Sequence, residues 1–181
     1  GGVVAEVIDS RAANFQAGDI VMGMLGWRLF QVARAEELHK VDPKMAPITT
    51  ALGVLGMPGL TAYFGLIDIC NPQAGETVVV SGAAGAVGTT VCQIAKLKGC
   101  RVVGIAGSDD KNAYLLNELQ VDAAINYKTA NVKEALAKAC PEGIDVYFDN
   151  VGGDHLEAAL AELNVGGRVA MCGAISQYNA T

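Results

Sequence analysis

Between the apolar run Val78-Val79-Val80 and a helical stretch that starts at Ala86 stands Ser81-Gly82-Ala83-Ala84-Gly85-Ala86-Val87-Gly88. A glycine-rich turn from strand into helix can hold a phosphate. Gly85 lets the backbone approach a pyrophosphate, and the first-turn N–H groups and dipole of the following helix favour an anion. Gly88 lets that helix lie close on the strand. Ala83 stands where the commonest fingerprint, G-x-G-x-x-G, has its first glycine, and any tight strand-to-helix connection can use glycine, so the turn gains meaning only from its context. That context comes about 20 residues later, where the next strand ends in Ala106-Gly107-Ser108-Asp109-Asp110-Lys111. Gly107 falls near the usual place of the acid that reads an adenosine ribose. Its lack of a carboxylate leaves room for a 2′-phosphate, which Ser108 can meet as a hydrogen-bond donor and Lys111 as a cation. Lys111 falls in the first turn of a helix, where the dipole disfavours a cation, and a bound anion gives it a reason to be there. The plainer reading of Lys111 is a solvated side chain. Asp109 and Asp110 read as first-turn acids, either of which could instead serve an NAD ribose. The expected cofactor is NADP(H).

Later strand ends carry Asn126-Tyr127-Lys128, then Asp149-Asn150-Val151-Gly152-Gly153, then Cys172-Gly173-Ala174-Ile175-Ser176-Gln177-Tyr178. Asn150 can bond the nicotinamide ribose, and Gly152-Gly153 again permits close backbone approach. Each of these alone reads as a turn residue; as a set along one sheet edge they read as ligand contacts. Five cysteines (70, 92, 100, 140, 172) and two histidines lie far apart, with no C-x-x-C, so no metal site is expected. His39 reads as a surface residue and His155 as a helix start.

The elements that position these residues follow from hydrophobic periodicity. After Gly75, short apolar strands alternate with helical stretches: strands at 78–80, 101–106, 123–126, 144–148 and 168–172, helices at 86–98, 109–119, 132–139 and 155–163. Continuous apolar strands flanked by helices predict a parallel sheet covered on both faces, a doubly wound α/β (Rossmann) domain whose ligands sit beyond the carboxyl ends of the strands. Residues 1–34 predict a β-rich meander, with strands at 3–8, 20–22 and 27–32 and a turn at Gly18-Asp19. A connecting segment over 36–47 and a helix over 59–69 that stops before Asn71-Pro72 lead into the α/β part. The domain assignment is 1–50 and 51–181.

Composition narrows the function classes. With 13 Lys and Arg against 19 Asp and Glu, the chain carries a formal charge of −6, so no nucleic acid and no anionic membrane surface is expected as partner. Two uncharged stretches, 45–67 and 77–95, contain glycine, proline or polar residues and read as core segments, not membrane spans. Dispersed reduced thiols suit a cytoplasmic location. The N-terminus lacks an initiator Met and a signal-peptide pattern, and a length of 181 residues predicts one complete domain with part of another, hence a partial chain.

Four separated motifs together carry a resemblance: Gly56-Met57-Pro58-Gly59-Leu60-Thr61-Ala62-Tyr63, Ala83-Ala84-Gly85-Ala86-Val87-Gly88, Phe148-Asp149-Asn150-Val151-Gly152-Gly153, and Cys172 through Asn179. The chain resembles the prostaglandin reductase and leukotriene B4 12-hydroxydehydrogenase group of the zinc-independent medium-chain dehydrogenase/reductases. The resemblance implies a Rossmann NADP-binding domain, truncated at its C-terminus, preceded by part of a GroES-like catalytic domain. It implies NADPH-dependent reduction of the carbon–carbon double bond of α,β-unsaturated ketones and aldehydes of the 15-oxo-prostaglandin, leukotriene or alkenal type, hence a small-molecule substrate and a role in lipid metabolism. Carried onto this sequence, Gly85, Ala86, Val87 and Gly88 would hold the pyrophosphate, Lys111 with Ser108 the 2′-phosphate, and Tyr127 and Asn150 the adenosine and ribose region. Cys172, Gly173, Ala174, Ile175, Ser176 and Tyr178 would wrap the nicotinamide end, with Thr61 and Met57 near it. Tyr178 is the candidate catalytic residue. The full-length protein is expected to be a homodimer, and a second tyrosine that the family supplies after the nucleotide-binding domain would lie outside this chain. An NADPH quinone oxidoreductase of the same superfamily and a non-catalytic NADP-binding protein are the alternative readings.

Overall fold

The computed structural model describes residues 1–179. The chain forms two compact units, Gly1–Pro58 and the residues from Gly59 on. In the first, β1 (Gly2–Glu6), β2 (Ile20–Met24) and β3 (His39–Lys40) make an antiparallel sheet in the order β1-β2-β3, with Val4 opposite Met22 and Met22 opposite His39. Lys40 closes on Asp19 at 2.7 Å, which holds the Asp19 carboxyl below its usual range.

The strand expected at 27–32 does not form. The segment has no regular structure, and the Gly26 N–H donates to the Gln31 side chain at 2.9 Å instead of to a ladder. Its apolar side chains, Leu29 and Val32 among them, are almost fully exposed. Alternating apolar residues make a strand only where a neighbouring edge accepts their hydrogen bonds, and none among the described residues does. The third strand is instead the two-residue β3, inside the stretch expected to be a connector.

Helix α1 (Met57–Tyr63) runs on into a π-helical turn over Phe64–Cys70, ended by Asn71 in the left-handed region at φ 44°. Ala62, Leu66 and Cys70, spaced four apart, bury one stripe of this helix. Gly65 sits so near the Phe148 ring that a Cβ there would come within 2.7 Å of it.

The α/β pattern then unfolds in order: β4 (Thr77–Ser81), α2 (Ala86–Leu97), β5 (Arg101–Ala106), α3 (Asp109–Asn117), β6 (Ala123–Asn126), α4 (Val132–Ala139), β7 (Ile144–Asp149), α5 (Gly153–Ala161) and β8 (Leu163–Met171). All five strands are parallel in the order β6-β5-β4-β7-β8. Strand alternation splits the core in two. Val78, Val80, Val102 and Phe148 pack with α1, α2 and α3 on one face. Val79, Val103, Ile105 and Tyr147 pack with α4 and α5 on the other. Complete burial of Val78, Val79 and Val80 is why that strand reads as an unbroken apolar run.

Several boundaries differ from expectation, among them β1 at Gly2–Glu6 where 3–8 was expected and α3 at Asp109–Asn117 where 109–119 was expected. Strand β8 begins five residues before 168, because Leu163 already pairs with Ile144 ahead of a register shift at 144–146. Helix α5 starts at Gly153 and not at His155.

Candidate functional site

The chain leaves β4 toward β5 and β6 on one side and later returns to place β7 on the other, so strand order reverses between β4 and β7. The loops beyond the carboxyl ends of those strands therefore diverge and leave a crevice, the place where open α/β sheets bind ligands. A cleft of about 890 Å³ opens there, lined by Gly82, Ala84, Gly85, Ala106, Gly107, Lys111, Tyr127, 151–155, Glu157 and 175–177.

One wall is the turn into α2. No side chain caps this helix at Gly85, whereas Ser108 caps α3 and Asn131 caps α4. The first-turn amides of Ala86, Val87 and Gly88 thus keep the anion-attracting character of an open helix end. At Gly88 a Cβ would lie 2.3 Å from the Gly82 carbonyl oxygen and 2.7 Å from the Ala83 Cα. The helix start is folded directly onto the turn, and only glycine fits.

A second wall comes from β5 and α3. Ser108 accepts a hydrogen bond from the Lys111 N–H at 3.4 Å, and its own hydroxyl proton stays available. The Lys111 ammonium has neither hydrogen bond nor ion pair among the described residues, and it is exposed on the cleft. Asp109 is committed elsewhere, accepting from the Asn126 amide at 2.7 Å. The space beside Gly107 is not empty: a Cβ there would lie 2.8 Å from the Tyr127 hydroxyl and from a Tyr127 ring carbon. The position lacks a carboxylate because a phenol from the end of β6 fills that room.

The third wall is built on Asp149, fully buried at the end of β7. Its carboxylate accepts from the Ser81 hydroxyl at 2.9 Å, the Tyr147 hydroxyl at 3.0 Å, and the Val151 and Gly152 N–H groups at 3.0 Å. Burial in this setting pushes the Tyr147 hydroxyl far above its ordinary range, so it stays a donor. Asn150 is fixed by the same strand pair, donating from its backbone to the Ser81 hydroxyl at 2.9 Å and from its amide to the Ser81 carbonyl at 2.8 Å. Gly152 and Gly153 follow at φ 71° and 54°, a conformation that favours glycine. Side-chain space is also absent, since Cβ atoms there would meet Gln177 at 2.8 Å and Ser176 at 3.0 Å.

The segment after β8 is laced onto the one after β7. Cys172 and Gly173 donate to the Asp149 carbonyl at 2.9 and 3.0 Å, and the Ser176 N–H and hydroxyl to the Val151 carbonyl at 3.1 and 2.6 Å. Tyr178 is exposed, with its hydroxyl accepting the Ala174 N–H at 3.1 Å. Burial pushes the Cys172 thiol up, away from thiolate reactivity.

Of the residues read from the sequence, Gly85, Lys111, Tyr127, Ile175 and Ser176 line the cleft. Ala86, Val87, Gly88, Ser108, Asn150, Cys172, Gly173, Ala174 and Tyr178 lie in its immediate supporting segments. Thr61, half-buried on α1, is not among the lining residues, and Met57, which opens α1, belongs to the first unit. The sequence reading passed over Asp154 and Glu157 and took His155 only as a helix start. His155 is buried, and burial lowers its pKa while Asp149 and Asp154 nearby raise it. The available signal was the i, i+3 spacing of Asp154 and Glu157 on a helix that begins with Gly152-Gly153. Those two carboxylates make the α5 wall unfavourable for phosphates and leave the α2 and Lys111 side as the anionic end. Among the described residues no group of three or more His, Cys, Asp or Glu is gathered as a metal site would require, and no helix is long and apolar enough to cross a membrane.

The chain is similar to known proteins over its whole length. The family model described as zinc-binding dehydrogenase matches residues 86–180, and one described as the N-terminal domain of oxidoreductase matches 1–41. Prostaglandin reductase 1 of Mus musculus is 54% identical over 185 residues, covering 100% of this chain and 56% of the relative. An NADP(+)-dependent 2-alkenal reductase of Nicotiana tabacum is 47% identical over 97% of this chain and 52% of its own. The crystal structure of CurA from Vibrio vulnificus in complex with NADPH superposes with a TM-score of 0.94 at 47% identity, covering 100% of this chain and 54% of that one. The chain spans about half the length of the curated relatives it matches.

Proposed function

The chain belongs to the zinc-binding dehydrogenase family, among the medium-chain dehydrogenase/reductases, and on that premise we propose that the protein uses NADPH to reduce the carbon–carbon double bond of α,β-unsaturated ketones and aldehydes. One observation carries the cofactor half of this reading: an uncapped helix start packed onto a glycine turn faces the same cleft as an unpaired lysine, with a tyrosine where an NAD-reading acid would stand. These residues fit a dinucleotide with an additional phosphate. The similarity to a prostaglandin reductase and an alkenal reductase supports the substrate half, and the substrates are 15-oxo-prostaglandin, leukotriene or alkenal type compounds handled in the cytoplasm.

When bound, NADPH supplies a hydride to the β-carbon of such a substrate. The chain's own residues do the rest. Gly85, Ala86, Val87 and Gly88 would hold the pyrophosphate by backbone amides, Lys111 with Ser108 would receive the 2′-phosphate, and Tyr127 would stand beside them at the adenosine ribose. Asn150, braced by Ser81, meets the ribose. Residues 172–178 wrap the nicotinamide end, with Thr61 near it. Hydride arrival puts negative charge on the carbonyl oxygen, and a hydroxyl there lowers the barrier by hydrogen bonding to it. Tyr178 supports that role: its oxygen accepts the Ala174 N–H and its proton remains free to donate.

The test is turnover of NADPH by the full protein with a 2-alkenal, a 15-oxo-prostaglandin and a quinone at matched concentration. The enal and enone are expected to be consumed at least tenfold faster than the quinone. Turnover with quinones and none with enones would assign the protein to the quinone oxidoreductases instead.

A further inference from the structure

We propose that His155 is a positioning residue of the cleft: its ring holds Tyr127 against Gly107 and thereby sets the preference for a 2′-phosphorylated over an unphosphorylated dinucleotide. The inference rests on the NADPH reading above. Tyr127 stands at the loop end after β6, well exposed, and its side chain makes no hydrogen bond among the described residues. What orients it is an edge-to-face contact with His155, ring centroids 4.9 Å apart and planes at 66°. On its other side the phenol fills the space that a side chain at Gly107 would need. The ring therefore lies between Gly107, just beyond the end of β5, and His155 in the first turn of α5.

His155 is only 7% exposed, and its Nδ1 is buried with no hydrogen-bond partner among the described residues. A buried polar atom left unpaired weakens a fold, so the imidazole nitrogen contributes nothing to stability at this place. No polar group anchors Nδ1 from the structure side, which leaves the ring itself as the active part. An imidazole edge against a phenol restricts the two torsions of Tyr127 and keeps its hydroxyl with Ser108 and Lys111 as a third neighbour of the phosphate. Without that restraint the tyrosine swings into solvent, and a dinucleotide carrying the phosphate loses more than one lacking it.

Calorimetric titration of the full protein with NADPH and with NADH reads this directly. His155→Ala is expected to weaken NADPH binding three- to tenfold, the size of one aromatic pair, and NADH binding less than twofold. His155→Phe, which keeps an aromatic edge and removes the orphaned nitrogen, should restore NADPH affinity to within twofold and raise the melting temperature. In a Tyr127→Ala background, His155→Ala should add no further loss. Should His155→Ala not fold, His155→Leu replaces it, with the same expected loss. Unchanged NADPH affinity in His155→Ala, equal weakening of both cofactors, or failure of His155→Phe to rescue would each overturn the positioning role. Wild-type protein that binds NADPH no better than NADH would instead overturn the cofactor reading on which it rests.

Discussion

At the scale of single residues, the account turns on Lys111 and Tyr178. Lys111 has no partner among the described residues, although it sits in a helix first turn where a cation is disfavoured. A charge-assisted phosphate bond is worth about 1.5–3 kcal/mol. Lys111→Ala should therefore weaken NADPH binding at least tenfold in a titration and leave NADH nearly unchanged; equal losses would remove Lys111 from the phosphate site. For Tyr178 the informative change is Tyr178→Phe, which keeps the ring and removes the proton donor. A fall in kcat of about tenfold or more with unaltered NADPH affinity is expected, and an unaltered kcat would reduce Tyr178 to packing. Lys111 was singled out by its type and its spacing to a strand end, whereas Tyr178 was singled out by the resemblance. His155 was not, since a lone histidine without a metal-spaced neighbour gives no signal until folding brings it against Tyr127. Gly107 was legible as a missing acid, but the reason for its absence lies 20 residues away in a tyrosine ring.

At the scale of elements, β8 is the outermost strand of its sheet, and its attachment is partly ionic. Arg168 donates from Nε to the Cys70 carbonyl at 2.9 Å and forks onto both oxygens of Glu76, one at 2.9 Å. The fork ties an edge strand to the loop before β4 and to the end of the π-helical turn. The Arg168 pair, foremost, holds the Glu76 carboxyl below its usual range. A carboxyl depressed in the folded state adds stability that is present above the unfolded value, about 4.3, and is lost as pH falls through the lower folded value. Glu76→Gln should lower stability by about 1–2 kcal/mol near pH 7, the pair being partly open to solvent, and should flatten the decline below pH ~4. Urea midpoints measured across that range check both; an unchanged acid limb would refute the pair's role. Elements buried on both sides, such as β4, showed themselves in the sequence as unbroken apolar runs. The start of β8 did not, because its first pairing with Ile144 precedes an irregular register near Gly166 and Gly167. Residues 27–32 alternate like a strand yet find no edge to join among the described residues.

At the scale of the whole molecule, the doubly wound order β6-β5-β4-β7-β8 explains why one cleft collects residues from the turns after all five strands of the sheet. The alternation of strands and helices implied a parallel, doubly wound sheet but not this order, and the lacing of 172–176 onto 149–151 emerges only once β7 and β8 lie side by side. The central claim is that this cleft presents a hydride to the β-carbon of an enone. The most direct measurement supplies the full protein with NADPH deuterated at C4 of the nicotinamide and a 2-alkenal, then locates the label in the product by NMR. The account predicts a saturated aldehyde with deuterium at its β-carbon and a solvent-derived proton at its α-carbon. An unsaturated alcohol with deuterium on the former carbonyl carbon would contradict it.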